Sequence, residues 1–551
     1  MRRLLYIAAM VVSGGLFALG WPGIGNMPWF LFVAFVPILW LEDELASRRE
    51  AGESHKGFFW YAFLAMFLWN MFTTWWIWCV KEGLATKLIS AGTAFILNGL
   101  FMAIVLRLFR FAKRHLGVQR GHIAFVLFWM TFEYLHYHWD LSYPWLTLGN
   151  AWSDTTSWIQ WYEYTGVSGG SLWVLLMNVL LYRAIRDFRA HNKRWKIFGG
   201  ISVSVIFLPL IWSTLIRSNY QEPNDPIDLV VIQPNIDPYS EKFGSMTPQE
   251  QLQKMLSLAQ PLMDENVDYV IGPETALPQA INCDRLDSNP LLEYINAYLA
   301  PFPDARMVTG FSCYRNYDTN KRPSETARKR EDGTWMDFYN SALQTGGGDP
   351  ITIYHKSQLV LGVEKMPFPW LFNPIQELIF DLGGTTGTLG TQKERTLLTS
   401  SSNDFKIAPV ICWESVYGDY LGEYMRNGAD AIFIITNDGW WDNTPGSVQH
   451  LAYARLLAIE FRRGVGRSAN TGISGFISPL GEVIQPTGWW TATAIRDKIN
   501  ASDEITFYAR YGDFLYRISA WLGCFLLLFA IAIKLKNGKQ NKKESHTSAM
   551  H

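Results

Sequence analysis

Three polar side chains stand where apolar runs end: Glu274 in VIGPETALP, Lys356 in IYHKSQLV and Cys412 in PVICWES. Together these residue types can carry out nucleophilic acyl chemistry. A thiol attacks as its thiolate, and a carboxylate can take the thiol proton. An ammonium favours the thiolate and stabilises an oxyanion on the attacked carbonyl. Each residue also has a plainer reading, Cys412 as a packing thiol and the other two as solvated strand-end charges. His355 and His450 raise the rival idea of a Cys-His dyad. His355 adjoins Lys356 on an extended run and points to the opposite face, and His450 reads as a helix-surface residue, so the dyad is the weaker arrangement. No His, Cys and carboxylate spacing suggests a metal site. The Gly-rich pieces TGGGDP and GGTTGTLGTQ lack the Lys-Ser/Thr ending of a phosphate loop, and neither a metal nor a cofactor is expected.

Such a trio works only if strands carry it to one place. From about residue 228 the composition turns to strands alternating with amphipathic helices. DLVVIQPNI, DYVIGPETALP, ARMVTGFSCYR, FYNSALQTG, ITIYHKSQLV, KIAPVICW and AIFIITNDGWW read as strands. A helix opens at Thr247 with Pro248 in first position and Glu250 completing a capping box. SVQHLAYARLLAIEFRRG reads as a helix ending at Gly464, with Arg462 and Arg463 in its last turn. This alternation predicts a layered α/β domain whose strand ends can converge on one cleft.

GPETALP, YHKSQLV and ICWES, in that order and followed by TNDGWW, resemble the Glu-Lys-Cys signature of the nitrilase superfamily. The resemblance implies an αββα sandwich with Glu274 as general base, Lys356 as oxyanion stabiliser and Cys412 as nucleophile. It adds the backbone N–H of Trp413 as a second oxyanion donor. It also implies a supporting carboxylate at Glu364, although the sequence there reads LGVE followed by Lys365 where the family more often has PFGE. Glu414 matches a position that orients the lysine or its loop. Asn340 and the stretch QPNIDPYSEKF, with Phe243 where Trp is commoner, resemble pocket-lining segments.

The rest of the chain is unlike a soluble enzyme. Apolar segments fall near 4–20, 28–41, 57–80, 88–109, 121–138, 167–182, 195–216 and 514–535. Aromatic residues make up 15% of the chain, including 25 Trp, as expected of interfacial belts. Lys and Arg gather near 2–3, 48–56, 107–120, 183–196 and 534–543. Loops 21–27 and 139–166 hold none, and 81–87 holds only Lys81 and Lys87. By the positive-inside rule both termini are cytoplasmic, and 217–513 lies outside. Cleavage of the first segment as a signal, at residues 18–20, would leave the remaining orientation unchanged. The division expected is 1–216 with helices one to seven, 217–513 as the periplasmic catalytic domain, and 514–551 with the eighth helix and a basic tail. Net charge of −1 gives no argument for nucleic acid. Five Cys is an odd count, and Cys283 and Cys313 could pair in an oxidising compartment.

Eight spans fused to the signature narrow the resemblance to the apolipoprotein N-acyltransferase family of the bacterial inner membrane. It implies transfer of an acyl chain from a membrane phospholipid, through a thioester on Cys412, to the N-terminal amine of a diacylglyceryl apolipoprotein, by a monomer working among membrane lipids. A membrane-anchored nitrilase-type amidase and a non-catalytic lipid- or lipoprotein-binding protein are the alternatives. The first needs far fewer spans, and the second does not need an intact trio. The apolar stretch MPFPWLFNPIQELIF, 366–380, is expected to rest on the membrane and gate the passage of acyl chains, with Trp370 touching substrate.

Overall fold

The computed structural model describes residues 1–548 apart from 55, 82, 367 and 369–387. The stretch 366–380 with Trp370 therefore lies almost wholly outside the described residues.

Among the described residues, six helices are long and apolar enough to cross a membrane: Arg2–Leu19, Phe58–Cys79, Ser90–Leu116, Val167–Arg189, Trp195–Asn219 and Phe514–Gln540. The other two expected spans are helical but different in kind. Segment 28–41 is split into Leu31–Ala34 and Val36–Glu50, the latter with Pro37 in its first turn, where its missing N–H leaves no bond unmade. Segment 121–138 lies in a 21-residue helix, Val118–His138, about 31 Å long but carrying buried His122, Glu133 and His136. Glu133 is not left bare. It accepts from the Trp129 indole at 3.1 Å, the Leu148 N–H at 2.9 Å and the Tyr516 hydroxyl at 2.8 Å. A carboxyl buried in a bundle needs such partners. The first helix contributes Tyr6, Met10 and Phe17 to the bundle core.

The α/β half contains two sheets. The strands are β1 (Pro226–Gln233), β2 (Tyr269–Ile271), β3 (Leu277–Asn282), β4 (Arg306–Tyr317), β5 (Arg328–Lys329), β6 (Trp335–Thr345) and β7 (Thr352–His355), then β8 (Leu398–Thr399), β9 (Lys406–Ile411), β10 (Ala431–Thr436), β11 (Val465–Ala469), β12 (Gly475–Ile477), β13 (Val483–Ile484) and β14 (Thr493–Asn500). The first sheet runs β14-β1-β2-β4-β6-β5, with β3 on β4 and β7 on β6, and the second runs β13-β12-β11-β10-β9-β8. At the centre, β1, β2 and β4 are parallel, as are β9, β10 and β11. Alternation along β1 builds the layers. Ile227, Leu229 and Val231 face the second sheet, whereas Val230 and Ile232 face helices Pro248–Ala259 and Pro290–Leu299. Helices Gly418–Arg426 and Pro445–Phe461 cover the second sheet, completing the expected αββα sandwich.

The Thr247–Glu250 capping box forms as the sequence predicts, each residue bonding the other's backbone N–H. The C-terminal end of Pro445–Phe461 does not. Arg462, with φ of 50°, ends the helix two residues before Gly464. Arg462 and Arg463 are buried, so neither serves as a solvated last-turn cation. Arg462 reaches Glu163 at 2.5 Å and Gln160 Oε1 at 2.6 Å, both in the helical half.

That helix is the seam of the molecule. Gln449 Oε1 accepts from the Trp76 and Trp145 indoles at 3.1 and 2.7 Å, while its amide donates to the carbonyls of Pro22 and Thr73. Tyr453 accepts from the Trp21 indole and donates to the Trp145 carbonyl. Trp413, Val416, Tyr417, Tyr453, Leu456 and Ile459 belong to the same apolar cluster as the helical bundle.

Candidate active site

Cys412 follows directly on the last residue of β9 and opens a short 3-10 turn over Cys412–Val416. Its φ is 51°, a left-handed conformation that costs a non-glycine residue about 1–3 kcal/mol and persists only where neighbours impose it. The neighbours are evident. The Cys412 carbonyl accepts from Ser415 Oγ at 2.7 Å and faces His450 Nε2 at 3.1 Å, and the Ile411 N–H donates to Glu414 Oε2 at 2.9 Å.

Glu274 lies in the turn between β2 and β3, next to Thr275 at φ 46°. Gly310 on β4 makes room for this turn. A Cβ at Gly310 would stand 2.4 Å from the Thr275 nitrogen and 2.6 Å from the Glu274 Cα. Lys356 follows β7, continues the ladder by donating its N–H to the Asn340 carbonyl, and is 1% exposed.

These side chains converge. Lys356 Nζ lies 3.0 Å from Glu274 Oε1 and 3.0 Å from Glu364 Oε1. Asn340 Nδ2 donates to the same two oxygens at 2.7 and 2.9 Å, so it meets the carboxylates. Burial works against the Lys356 ammonium, yet Glu274 and Glu364 hold its pKa well above the ordinary lysine range. For Cys412 burial and the Glu274 charge together raise the thiol, against the opposing pull of Lys356. The resting sulfur is therefore protonated at neutral pH, and an attack needs a proton acceptor.

The supporting residues divide. Glu364 completes the lysine's pairing, and its second oxygen accepts from the Val360 N–H at 2.9 Å. Lys365, the residue that departs from the commoner pattern, turns away to Asp140 at 2.8 Å. Glu414 binds the loops: it accepts from the N–H groups of Ile411, Ser357 and Gln358 and from the hydroxyls of Tyr354 and Tyr420. Trp413 stacks on Trp145 at 5.2 Å and 7°. Phe243 is 59% exposed, its ring 6.5 Å from Trp440. The neighbouring Lys242 is the residue that turns inward, donating to the Glu274 carbonyl at 2.9 Å. Burial lowers its pKa to about 8, and Glu274 opposes the shift.

His450 is 1% exposed, which corrects its reading as a helix-surface residue. Its Nδ1 lies 2.8 Å from Asp438 Oδ1, and Arg467 donates to Asp438 Oδ2 at 2.8 Å. Burial would raise the Asp438 carboxyl, but Arg467 and His450 bring it down to about 2. Sequence reasoning missed Lys242, Asp438 and Arg467. Arg467 left a signal, a lone guanidinium amid the buried strand VGRSA, which demands a partner. His355 faces away as expected, bonded to Ser341 Oγ at 2.7 Å and stacked on Tyr339. Among the described residues, Cys283, Cys313 and His355 make a cluster of metal-ligand type, but Cys283 and Cys313 are joined as a disulfide and hold no free thiolate.

Comparison with known proteins places the chain in a family. Residues 13–180 match the apolipoprotein N-acyltransferase N-terminal domain, and residues 230–505 match the carbon-nitrogen hydrolase family. An apolipoprotein N-acyltransferase of Chlorobaculum tepidum is 29% identical over 524 residues, 93% of this chain and 94% of that protein. Relatives of the same description from Geobacter metallireducens and Thermotoga maritima are 27% and 24% identical, over 93% and 98% of this chain and 92% and 96% of theirs. This multi-pass membrane chain belongs to the carbon-nitrogen hydrolase family, joined to the N-terminal domain of the apolipoprotein N-acyltransferases.

Proposed function

We propose that the protein N-acylates lipoproteins during their maturation, taking the acyl chain from a membrane phospholipid through a thioester on Cys412. The relatives are named for the acceptor, and one observation carries the chemistry: a buried thiol at a strained strand end, its pKa raised by burial, beside a Glu–Lys pair that can take its proton. Glu274 accepts the Cys412 proton as sulfur attacks the ester carbonyl. Lys356 and the Trp413 N–H stabilise the resulting oxyanion. Collapse breaks the ester C–O bond, Glu274 returns the proton to the departing lysophospholipid oxygen, and a thioester remains. The free α-amine of a diacylglyceryl-cysteine then attacks the thioester carbonyl. Glu274 takes the amine proton and passes it to the departing sulfur. Two acyl transfers of modest barrier replace one difficult step. Glu364 and Asn340 keep the lysine and Glu274 in register, and Glu414 holds the loops that present Lys356 and Cys412.

The catalytic unit, within 217–513, lies on the periplasmic side, and both termini are cytoplasmic. The alternation of basic and charge-free loops supports this orientation. The Cys283–Cys313 disulfide, with Cα atoms 5.7 Å apart, fits an oxidising compartment. One chain supplies every residue of the site, which fits a monomer. Intact-mass measurement of the detergent-purified protein with phospholipid, beside Cys412→Ala, tests the reading. A single acyl-sized gain, absent from the variant and released by hydroxylamine, is expected. No gain with any common phospholipid would overturn the thioester.

A further inference from the structure

At the end of the helical bundle far from the two sheets, four helices border a half-open cavity of about 690 Å³. The helix Phe58–Cys79 begins at this cavity and reaches the seam at Trp76, so roughly 30 Å of helix separates the cavity from the thiol's surroundings. Arg49, Lys56, Arg107, Arg110, Arg114 and Lys534 line it, with His115, and no carboxylate does so among the described residues.

Basic residues at a membrane face are ordinarily a diffuse consequence of topology. The neighbouring cavity, about 900 Å³, shows what that looks like: Glu42, Asp43 and Glu44 line it, and Lys113 and Arg186 form ion pairs there with Glu42 and Asp43. Arg49, Arg110 and Arg114 border both cavities, and the smaller one is compensated only from that side, since Lys56, Arg107 and Lys534 line it alone. Arg110 approaches Glu42 at 3.9 Å, but Arg49, Lys56, Arg107, Arg114 and Lys534 make no ion pair among the described residues. Its apolar walls steady the cations instead. The Arg110 guanidinium lies 5.2 Å from the Phe58 ring centroid, and Lys534 Nζ lies 5.6 Å from that of Phe111. At the rim, Trp60 is 65% exposed, as suits an aromatic at the level of lipid headgroups.

We propose that this cavity binds the headgroup of an anionic phospholipid, its phosphate held by the convergent cations and its acyl chains leaving past Trp60. The convergence of cations from three helices and Lys56, most of them without an ion pair among the described residues, favours a multiply charged acceptor, and the aromatic rim favours a lipid over free phosphate. The site is separate from the acyl-donor site and does not depend on the reaction assigned above.

Native mass spectrometry of the full-length protein tests this, in the Cys412→Ala background so that no covalent acyl adduct adds to the count. Phosphatidylglycerol, phosphatidylcholine and inorganic phosphate are the probes. Arg107→Gln with Arg114→Gln removes two charges from the cavity, and Lys193→Gln with Arg194→Gln removes two from an exposed basic loop outside it. The expected result is phosphatidylglycerol binding weakened roughly thirtyfold by the cavity pair and unchanged by the loop pair, with weaker binding of phosphatidylcholine throughout. Unchanged binding in the cavity variant would overturn the proposal, as would equal loss in both variants. Inorganic phosphate binding as tightly as phosphatidylglycerol would also overturn it, showing an anion site that does not read lipid.

Discussion

Two buried charge clusters flank Cys412, and they differ in what they address. On one side Glu274, Lys356, Glu364 and Asn340 form a cluster whose charges act on the sulfur. On the other side His450, Asp438 and Arg467 form a cluster whose polar end meets the Cys412 carbonyl. The first set leaves a proton acceptor beside a protonated thiol. The second largely compensates its own charges, its Asp438 adding only a lesser push to the thiol, and holds a strained backbone in place. Burial alone does not mark a catalytic group; the atom it faces does.

Substitutions separate the two roles, beginning with the largest effect. Cys412→Ala should abolish acyl transfer, and Glu274→Gln should lower it about 10²–10⁴-fold, both with thermal unfolding near the parent's. A folded Glu274→Gln that turns over normally would remove Glu274 as the base. Asp438→Asn should do the converse, leaving Arg467 buried without its counter-charge and costing about 3–5 kcal/mol in stability. Its chemistry at temperatures where it remains folded should survive. Loss of activity without loss of stability would merge the two clusters into one.

Next in size, Cys313→Ser should cost about 3.6 kcal/mol, since the Cys283–Cys313 disulfide closes a loop of 30 residues. Denaturant unfolding under otherwise equal conditions reads this directly. Smaller still is the acid response of Asp438. Its carboxyl is held at about 2 in the folded chain against the ordinary 3.8, so the gain is full above pH 4 and is lost as pH falls toward 2. That is about 2 kcal/mol of acid sensitivity, which Asp438→Asn should lack. Finally, iodoacetamide should alkylate Cys412 slowly at pH 7 and faster through pH 9. A plateau at neutral pH would mean a resting thiolate.

The strand ends were legible in the sequence, and the family resemblance rather than their spacing joined Glu274, Lys356 and Cys412 into one site. Glu274, Lys356 and Cys412 each followed an apolar run, and the layered fold followed from the alternation of strands with helices. The strands after 464 were harder to see. β11 contains Gly466, Arg467 and Ser468, and β12 and β13 are three and two residues long, so none shows an apolar alternation. His450 misled for a related reason. Helix Pro445–Phe461 is buried on both faces, one against the second sheet and the other against the bundle, so no polar stripe told which residues face water. Lys242 carried no signal in the sequence, because its target is a backbone carbonyl.

The stack of Trp413 on Trp145 has a mechanical consequence. The residue next to Cys412 is bolted to the bundle, and Gln449 and Tyr453 add further bolts along the same seam. An enzyme on a swinging tether could lower its site toward the bilayer and raise it again. Here Cys412 is held at a fixed place on the bundle, and under the proposed function reach becomes a property of the lipids and lipidated chains that must come to it.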